Sequence, residues 1–304
     1  VNTGTETASV GVDSTGSVTA RFGISSHGQG LETTLAQVIA EELGVQVSDV
    51  RVIHGDTSGV AHSTGTFASR STVLVGGAAI LSARDVKEQA LKAAAHIFET
   101  DPADLEATGG EIIVTGTDRC MSFQQLAKSL FSEMGRFPKE LREEISLEAT
   151  HMYDPSFGTT SPASHLVMVE VDRNTYGVSI LHYYVADDCG RVINPLIVNG
   201  QVHGGVAQGI GAALTEEVVH DESGQIQTTT LVDYVVPSAA EVPNMSVQHV
   251  EAHLPDNLGG FRGMGEGGTI GAPAAIANAI ADAVRRDINV LPMTPERIFR
   301  LFHD

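Results

Sequence analysis

Residues 17–55 read SVTARFGISSHGQGLETTLAQVIAEELGVQVSDVRVIHG, and this stretch decides the fold of the first part of the chain. Its first residues alternate between apolar and polar side chains, which predicts a β-strand. After a polar glycine loop, Leu35, Val38 and Leu43 recur at helical spacing. A second strand pattern follows at 50–53. The order strand, loop, helix, strand predicts a sheet that is at least partly parallel.

The rest of the chain continues this alternation of strands and helices. In chain order, the patterns predict a hairpin at 8–23, helices at 32–43 and 73–99, a strand at 49–55, a hairpin at 105–115, a helix at 122–131, a strand pair at 166–185, a helix at 199–217, a hairpin at 218–231, a strand at 245–253, and helices at 272–284 and 292–302. The sequence therefore predicts an α+β (mixed α/β) fold with mixed sheets and packed helices. We expect two subdomains, 1–131 and 160–304, joined by an irregular charged segment at 132–159.

Composition and charge restrict the possible functions. The chain is 42% hydrophobic and 18% charged, which is typical of a globular protein with a large core. Its net charge of −20 argues against a nucleic-acid partner or an anionic membrane surface. No apolar run is long enough for a transmembrane helix, so no membrane insertion is expected. Cys120 and Cys189 have no metal-ligand spacing, and we expect reduced thiols in a cytoplasmic protein.

Glu266 stands in the glycine-rich run from Arg262 to Gly271, directly before an alanine-rich helix pattern. Glycine removes side-chain bulk and permits positive φ, so a ligand could approach this backbone closely. A carboxylate at the beginning of a helix can serve as a base or a ligand. The alternative is a glycine turn with a capping acid. This run by itself leaves both interpretations open.

Three further loops combine glycine with small polar residues and lead into predicted helices. They are the glycine loop at 26–30, the hydroxyl loop at 67–72, and the Asp188–Gly190 loop that leads to Gly200 and Gln201. Helix N-termini offer unpaired N–H groups, so several of them could hold phosphates without lysine. In the hydroxyl loop, Arg70 among hydroxyl side chains suits a phosphate. None of the loops matches the P-loop or the dinucleotide-binding pattern.

The ordered set of motifs resembles the C-terminal, molybdopterin-binding half of the molybdenum (large) subunit of the xanthine oxidase family. That family includes aldehyde oxidoreductases, aerobic carbon monoxide dehydrogenases and bacterial N-heterocycle hydroxylases, and the carbon monoxide dehydrogenase-like branch looks most similar. The matching segments are 25–33, 51–57, 65–72, 187–195, 200–209 and 265–268. Together they extend along essentially the whole chain.

The resemblance implies a molybdenum–molybdopterin cofactor, in the molybdopterin cytosine dinucleotide form. Glu266 would stand beside the molybdenum as the general base, and no residue of this chain would be bonded directly to the metal. The implied cofactor-binding residues are Gly28, Gln29 and Gly30 along the pterin, Ala68, Ser69, Arg70, Ser71 and Thr72 at the pterin and pyrophosphate, Asp188, Cys189 and Gln201 at the dinucleotide or pterin, and Gly265 and Gly267 around the base.

The resemblance also implies partner chains. The family's glycine-phenylalanine-glycine cofactor loop and its substrate-facing loop are not found in this sequence, and neither are iron–sulfur cysteines or a flavin domain. We therefore expect the chain to act with the N-terminal half of the molybdenum subunit, an iron–sulfur subunit and an FAD subunit. Together they would oxidise a carbon of a small-molecule substrate with water-derived oxygen and pass the electrons to the partners. The alternative is a cofactor-free assembly or interaction protein of the same fold.

Overall fold

The computed structural model describes residues 4–60, 62–155, 160–252, 254–255 and 257–303. The chain divides into two compact units. The first unit contains residues 1–159 and 253–262, and the second contains residues 160–252 and 263–304. The chain therefore enters the second unit, returns to the first for a short segment, and ends in the second.

The first unit is built from mixed sheets and helices. Its helices and strands are β1 (Glu6–Val12), β2 (Val18–Phe22), α1 (Leu31–Leu43), β3 (Val50–His54), α2 (Ser71–Phe98), β4 (Leu105–Thr108), β5 (Glu111–Val114), β6 (Cys120–Ser122), α3 (Phe123–Ser132), α4 (Lys139–Glu144) and β7 (Glu148–Tyr153). One sheet has the order β3-β2-β1-β7, with β2 and β3 parallel and the other pairs antiparallel. The second sheet is the antiparallel set β4-β5-β6.

Small residues allow α2 to lie directly against the four-stranded sheet. The helix carries Ala78, Ala79 and Ala83, which are completely buried in the core. At Gly77, a Cβ atom would lie only 2.2 Å from the Tyr153 ring of β7. Because that distance is far below van der Waals contact, only glycine lets α2 and β7 approach this closely.

The second unit has one sheet with helices packed against it. Its helices and strands are β8 (Ala163–Val171), β9 (Val178–Asp187), α5 (Pro195–Leu214), β10 (Met245–His249), α6 (Gly267–Ile270), α7 (Ala272–Val284) and α8 (Pro295–His303). The sheet order is β10-β9-β8, with β9 antiparallel to β8 and parallel to β10. Val202, Val206 and Ile210 of α5 pack with Ile276 and Ile280 of α7 in the core. The mixed sheets and packed helices confirm the predicted fold class.

The segment 132–159 is not the irregular link that the sequence predicted. It contains α4 and β7, and β7 pairs antiparallel with β1 from Glu148 to Tyr153. Half-buried and exposed side chains alternate along β7. The alternation is hard to recognise in the sequence, because both kinds of position hold a mixture of polar and apolar residues. Residues 132–155 therefore form part of the first unit, and residues 156–159 lie outside the described part of the chain.

Two further boundaries differ from the prediction. Helix α5 begins at Pro195, because the Asn194 side chain accepts hydrogen bonds from the backbone N–H groups of Leu196 and Ile197. The hairpin predicted at 218–231 is reduced, in the described residues, to the bridge between His220 and Ile226. A two-stranded hairpin is marginally stable by itself, and no third named strand pairs with this one. None of the helices in the described residues is both long and apolar enough to cross a membrane.

Candidate functional site

The glycine loop at 26–30 holds the Gln29 side chain in one orientation. Gly28 and Gly30 have φ values of 100° and 77°, which side chains other than glycine rarely adopt. The Gln29 Oε1 atom accepts hydrogen bonds from the His27 backbone N–H at 2.8 Å and from Ser26 Oγ at 3.3 Å. The Gln29 Nε2 atom is buried and has no hydrogen-bond partner among the described residues. A buried donor of this kind is costly unless a ligand or water satisfies it.

Neighbouring segments fix the position of this loop. His54, at the end of β3, accepts a hydrogen bond at Nδ1 from the Ser26 backbone N–H, and its Nε2 lies 2.8 Å from the Glu32 carboxylate. Thr66 Oγ1 donates to the Ser25 carbonyl at 2.7 Å. Because Thr66 directly precedes the hydroxyl loop, the hydrogen bond joins the two loops of the first unit.

The hydroxyl loop has a strained backbone where α2 begins. Ala68 and Ser69 have φ values of 50° and 53°, and Arg70 returns to the right-handed helical region at φ −87° and ψ −23°. Consecutive left- and right-handed residues direct successive N–H groups into one concavity, which is a common anion-binding arrangement. The Ser71 Oγ atom is buried and has no hydrogen-bond partner among the described residues. The loop therefore offers backbone donors and a hydroxyl to a ligand.

The Arg70 guanidinium faces the protein interior. It forms an ion pair with Glu6 of β1 and donates to the Gly65 carbonyl at 2.6 Å, and the side chains of Arg70 and Glu6 are 0% exposed. Burial alone raises the pKa of the Glu6 carboxyl, but hydrogen bonds from Arg70 and Thr64 outweigh it and lower that pKa. The expectation that the Arg70 side chain itself suits a phosphate is therefore not supported. Its ion pair instead holds the hydroxyl loop to the sheet.

In the second unit, Glu266 lies immediately before α6 and is exposed in this chain. Its side chain makes no capping hydrogen bond to that helix, so the interpretation as a capping acid is not supported. Its backbone carbonyl accepts from the Thr269 N–H at 3.1 Å. Gln201, in the second turn of α5, donates from Nε2 to the Gly265 carbonyl at 3.3 Å. The structure thus brings Gln201 beside the loop that carries Glu266.

A glycine seam holds the Glu266 loop against α5. A Cβ atom on Gly205 would lie 2.8 Å from the Thr269 backbone nitrogen, and one on Gly268 would lie 2.5 Å from the Val202 carbonyl oxygen. One helical turn further, a Cβ on Gly209 would lie 2.4 Å from Ala272 Cβ. We call Gly205, Gly209 and Gly268 the glycine seam. At Gly205 and Gly268 the contacts join backbone to backbone, so they fix the loop more closely than side-chain packing would.

Hydrogen bonds to the Asp188 side chain hold the Asp188–Gly190 loop in place. Asp188 Oδ1 accepts from the Gly190 N–H at 2.9 Å and from the Ala252 N–H at 3.2 Å. The Cys189 thiol is buried, and burial, followed by the charge of Asp187, raises its pKa to about 11. The raised pKa keeps the thiol protonated at neutral pH in the absence of a bound cation.

A sequence model of the molybdopterin cofactor-binding domain family matches residues 1–243. The chain belongs to this family. Members similar to it include the 6-hydroxypseudooxynicotine dehydrogenase complex subunit gamma of Paenarthrobacter nicotinovorans, 42% identical over 97% of this chain and 37% of the relative. The carbon monoxide dehydrogenase large chain of Hydrogenophaga pseudoflava is 35% identical over 91% of this chain and 34% of the relative.

Solved structures agree with this family assignment. Quinoline 2-oxidoreductase from Pseudomonas putida 86 superposes with a TM-score of 0.92 at 38% identity, covering 99% of this chain and 38% of that chain. The reconstituted carbon monoxide dehydrogenase from Oligotropha carboxidovorans gives a TM-score of 0.90 at 31% identity and covers 98% of this chain. This molybdopterin cofactor-binding chain spans little more than a third of the length of the relatives that it matches.

Several residues that shape the loops of this family member were not identified from the sequence. Glu6 and His54 act through partners that are distant along the chain, and no local pattern marks them. The four-residue spacing of Gly205 and Gly209 in α5 is a signal that could have been recognised, because such glycines lie on one helical face. It predicts a close backbone contact on that face.

Proposed function

We propose that the chain binds molybdopterin cofactor within a molybdenum-dependent oxidoreductase and supplies Glu266 as the general base. The observation that carries this proposal is the pair of buried polar atoms without partners, Gln29 Nε2 and Ser71 Oγ, in two joined loops. A pterin ring system with its phosphate tail carries hydrogen-bonding groups along its whole length, so it suits these atoms. On the glycine loop, a Cβ at Gly28 would meet no atom within 4 Å, which leaves space for a ligand.

Each unit would contribute differently to cofactor binding. In the first unit, Gly28, Gln29 and Gly30 would lie along the pterin. The residues from Ala68 to Thr72 would hold the pterin and pyrophosphate with N–H groups and the Ser69, Ser71 and Thr72 hydroxyls, while Arg70 would keep the loop in shape. In the second unit, the Asp188–Cys189 backbone and Gln201 would contact the cofactor, and Gly265 and Gly267 would leave room around Glu266. No lysine is needed, because N–H groups at helix N-termini bind anions.

In this proposal, Glu266 acts as the general base. When bound, the molybdenum centre would supply a redox-active metal able to accept electrons from a substrate carbon. Glu266 would take up the proton that the oxidation releases. The Gln201–Gly265 hydrogen bond and the glycine seam would hold its loop in place. A base must be held within hydrogen-bond reach of the proton that it takes.

The test is the Glu266→Gln variant in the complete enzyme with its partner chains. The amide keeps the shape of the side chain and removes the base, so we expect the cofactor content to remain and kcat to fall by about 10²-fold or more. The matched control is Glu222→Gln, because Glu222 is an exposed glutamate in a turn that is not part of these loops. Wild-type kcat in the Glu266→Gln enzyme would refute the proposal.

We also propose that the active enzyme requires further chains. The chain spans 37% of the 6-hydroxypseudooxynicotine dehydrogenase gamma subunit, which is named as part of a complex. By the family resemblance, the missing parts are the N-terminal half of the molybdenum subunit, an iron–sulfur subunit and an FAD subunit. The cofactor would be in the molybdopterin cytosine dinucleotide form, and the carbon monoxide dehydrogenase-like branch remains our prediction. Both cysteines are unpaired, and a cytoplasmic location also remains a prediction.

Metal analysis separates this proposal from a cofactor-free assembly protein. We expect molybdenum, iron and flavin in the complex purified from the native host, and little molybdenum on the chain expressed alone. Stoichiometric molybdenum on the isolated chain would refute the need for partners. A complex without molybdenum would refute cofactor binding.

A further inference from the structure

Three side chains that can bind metal ions meet at one end of the sheet in the second unit. Asp187, Cys189 and His249 each offer one ligand atom, and these three atoms lie within 4.8 Å of one another. Strands β9 and β10 bring them together, because His249 of β10 pairs with Asp187 of β9 in parallel register. Cys189 lies two residues after Asp187 in the chain. Asp187 is 2% exposed and Cys189 is 4% exposed. The cluster is therefore built into the core and differs from a set of solvated surface acids.

Oxygen atoms lie beside both ring nitrogens of His249. Its Nδ1 atom lies 2.9 Å and 3.1 Å from the two carboxylate oxygens of Asp187, and its Nε2 atom lies 3.1 Å from Asn199 Oδ1. Oxygen acceptors therefore face both ring nitrogens, an arrangement that suits a ring that either donates at both nitrogens or binds a cation at one of them. With a metal ion at Nδ1, Nε2–H can donate to Asn199 while Nδ1 and the carboxylate both bind the ion.

We propose that Asp187, Cys189 and His249 bind a divalent cation of the zinc class, and that Asn199 orients His249. One thiolate, one imidazole and one carboxylate are ligands that zinc prefers, whereas calcium and magnesium prefer oxygen alone. Metal-binding histidines usually donate their second ring N–H to an oxygen acceptor, as His249 does to Asn199. Binding would release one proton, from the Cys189 thiol to solvent, as the sulfur–metal bond forms.

The geometry requires only a small adjustment. Zinc–ligand bonds of about 2.0–2.3 Å place tetrahedral ligand atoms roughly 3.3–3.8 Å apart. The three atoms lie within 4.8 Å of one another, so the widest pair would have to close by about 1–1.5 Å. The Asp187–His249 pair, at 2.9 Å, would have to open by about 0.4 Å or more. The ion would then join the ends of β9 and β10 to α5, which carries Asn199. It would stabilise the Asp188–Gly190 loop, a role that does not depend on molybdenum chemistry.

Cobalt substitution provides a direct test on the full chain. The reduced chain, cleared of metal with a chelator, is titrated with Co²⁺, because a thiolate bound to Co²⁺ gives a charge-transfer absorption band. We expect one equivalent to produce the band and Zn²⁺ to abolish it. Cys189→Ser should lose the band, whereas the matched control Cys120→Ser should keep it, since Cys120 is the exposed thiol. Absence of the band in the wild-type chain, or its persistence in Cys189→Ser, would overturn the proposal.

Two further measurements cover the case in which Cys189→Ser fails to fold. Asn199→Leu leaves all three ligands in place, and we expect it to weaken Zn²⁺ binding by about 10–100-fold, as for other groups that orient metal ligands. Unchanged affinity would mean that Asn199 satisfies His249 through a turned amide and has no role in metal binding. In the wild-type chain, Zn²⁺ should slow the reaction of Cys189 with a thiol reagent and leave Cys120 unaffected. Equal rates for Cys189 with and without Zn²⁺ would exclude the site.

Discussion

Two adjacent glycines of α5 provide a matched test of the seam that holds the Glu266 loop. A Cβ at Gly205 would lie 2.8 Å from the Thr269 nitrogen and 2.9 Å from two Gly268 backbone atoms. A Cβ at Gly204 would meet no atom within 4 Å. Both residues lie inside the same helix, so Gly204→Ala and Gly205→Ala change helix propensity in the same way. Only Gly205→Ala forces α5 away from the Glu266 loop.

The expected stability changes have opposite signs. Replacing a glycine inside a helix with alanine stabilises the helix by roughly 0.5–1 kcal/mol, and Gly204→Ala should show this gain. In Gly205→Ala, the contact at 2.8 Å must open to at least 3.4 Å, a shift of about 0.6 Å. The opposing atoms are backbone and cannot rotate away, so overpacking of about 1–3 kcal/mol should exceed the propensity gain. We expect a net loss of about 0.5–2 kcal/mol.

Denaturant unfolding and thermal melting of the two variants measure this difference. The two variants should be separated by roughly 1–3 kcal/mol, which corresponds to roughly 3–12 °C in Tm for a unit of this size. If Gly205→Ala were as stable as Gly204→Ala, the backbone contact between α5 and the Glu266 loop would not exist as described.

Three more predictions concern the buried ion pair and the thiols. Arg70→Met should destabilise the first unit by about 3–5 kcal/mol in denaturant unfolding, because it leaves the Glu6 carboxylate buried without its cation. A loss of stability below about 1 kcal/mol would contradict the burial of the pair. The pKa of Glu6 is lowered by folding, so its contribution to stability is present above the ordinary value of about 4.3 and is lost as the pH falls through the folded value. Glu6→Gln should therefore be less stable at neutral pH but lose less stability between about pH 5 and pH 3, and an unchanged pH profile would contradict this assignment. A chromogenic thiol reagent, used at neutral pH with a chelator present, should react quickly with the exposed Cys120. Cys189 is buried and its pKa is raised to about 11, so it should react only as the chain unfolds. Equal reaction rates for the two thiols would disprove the burial of Cys189.

Local sequence patterns predicted most of the fold, because periodic burial is a local property. The helix pattern at 272–284 agrees with α7 at Ala272–Val284, and the parallel pairing of β2 with β3 was expected from the order of elements. Strand β7 was missed because its sequence, EATHMY, places a histidine at a half-buried position and a methionine at an exposed one, so no apolar–polar alternation marks it. Its register against β1 is set by the sheet, which no local pattern describes.

The loops of the candidate site were predicted by type, but the role of each side chain was not. Arg70 was expected to face a ligand, yet it pairs with Glu6, which lies 64 residues earlier in the chain. Asp187 and His249 are separated by 62 residues and meet only because β9 and β10 are parallel neighbours. Spacing along the sequence can show that an arginine or a histidine stands near a loop. It cannot show which way the side chain faces, since tertiary contacts decide that direction.

The glycines show how far a compositional argument extends. The chain has 32 glycines in 304 residues, and around Glu266 the glycine run predicted a backbone that a ligand could approach closely. Gly28 and Gly30 fit that interpretation, because both have positive φ in the glycine loop. Gly205 and Gly268 serve a different purpose, since each permits contact between two backbones and neither has positive φ. At Gly268, beside Glu266, the apparent ligand signal is therefore a packing signal. The two classes can be distinguished by experiment: alanine at a seam glycine should lower stability without any ligand, whereas alanine at Gly28 should strain the loop and weaken cofactor binding.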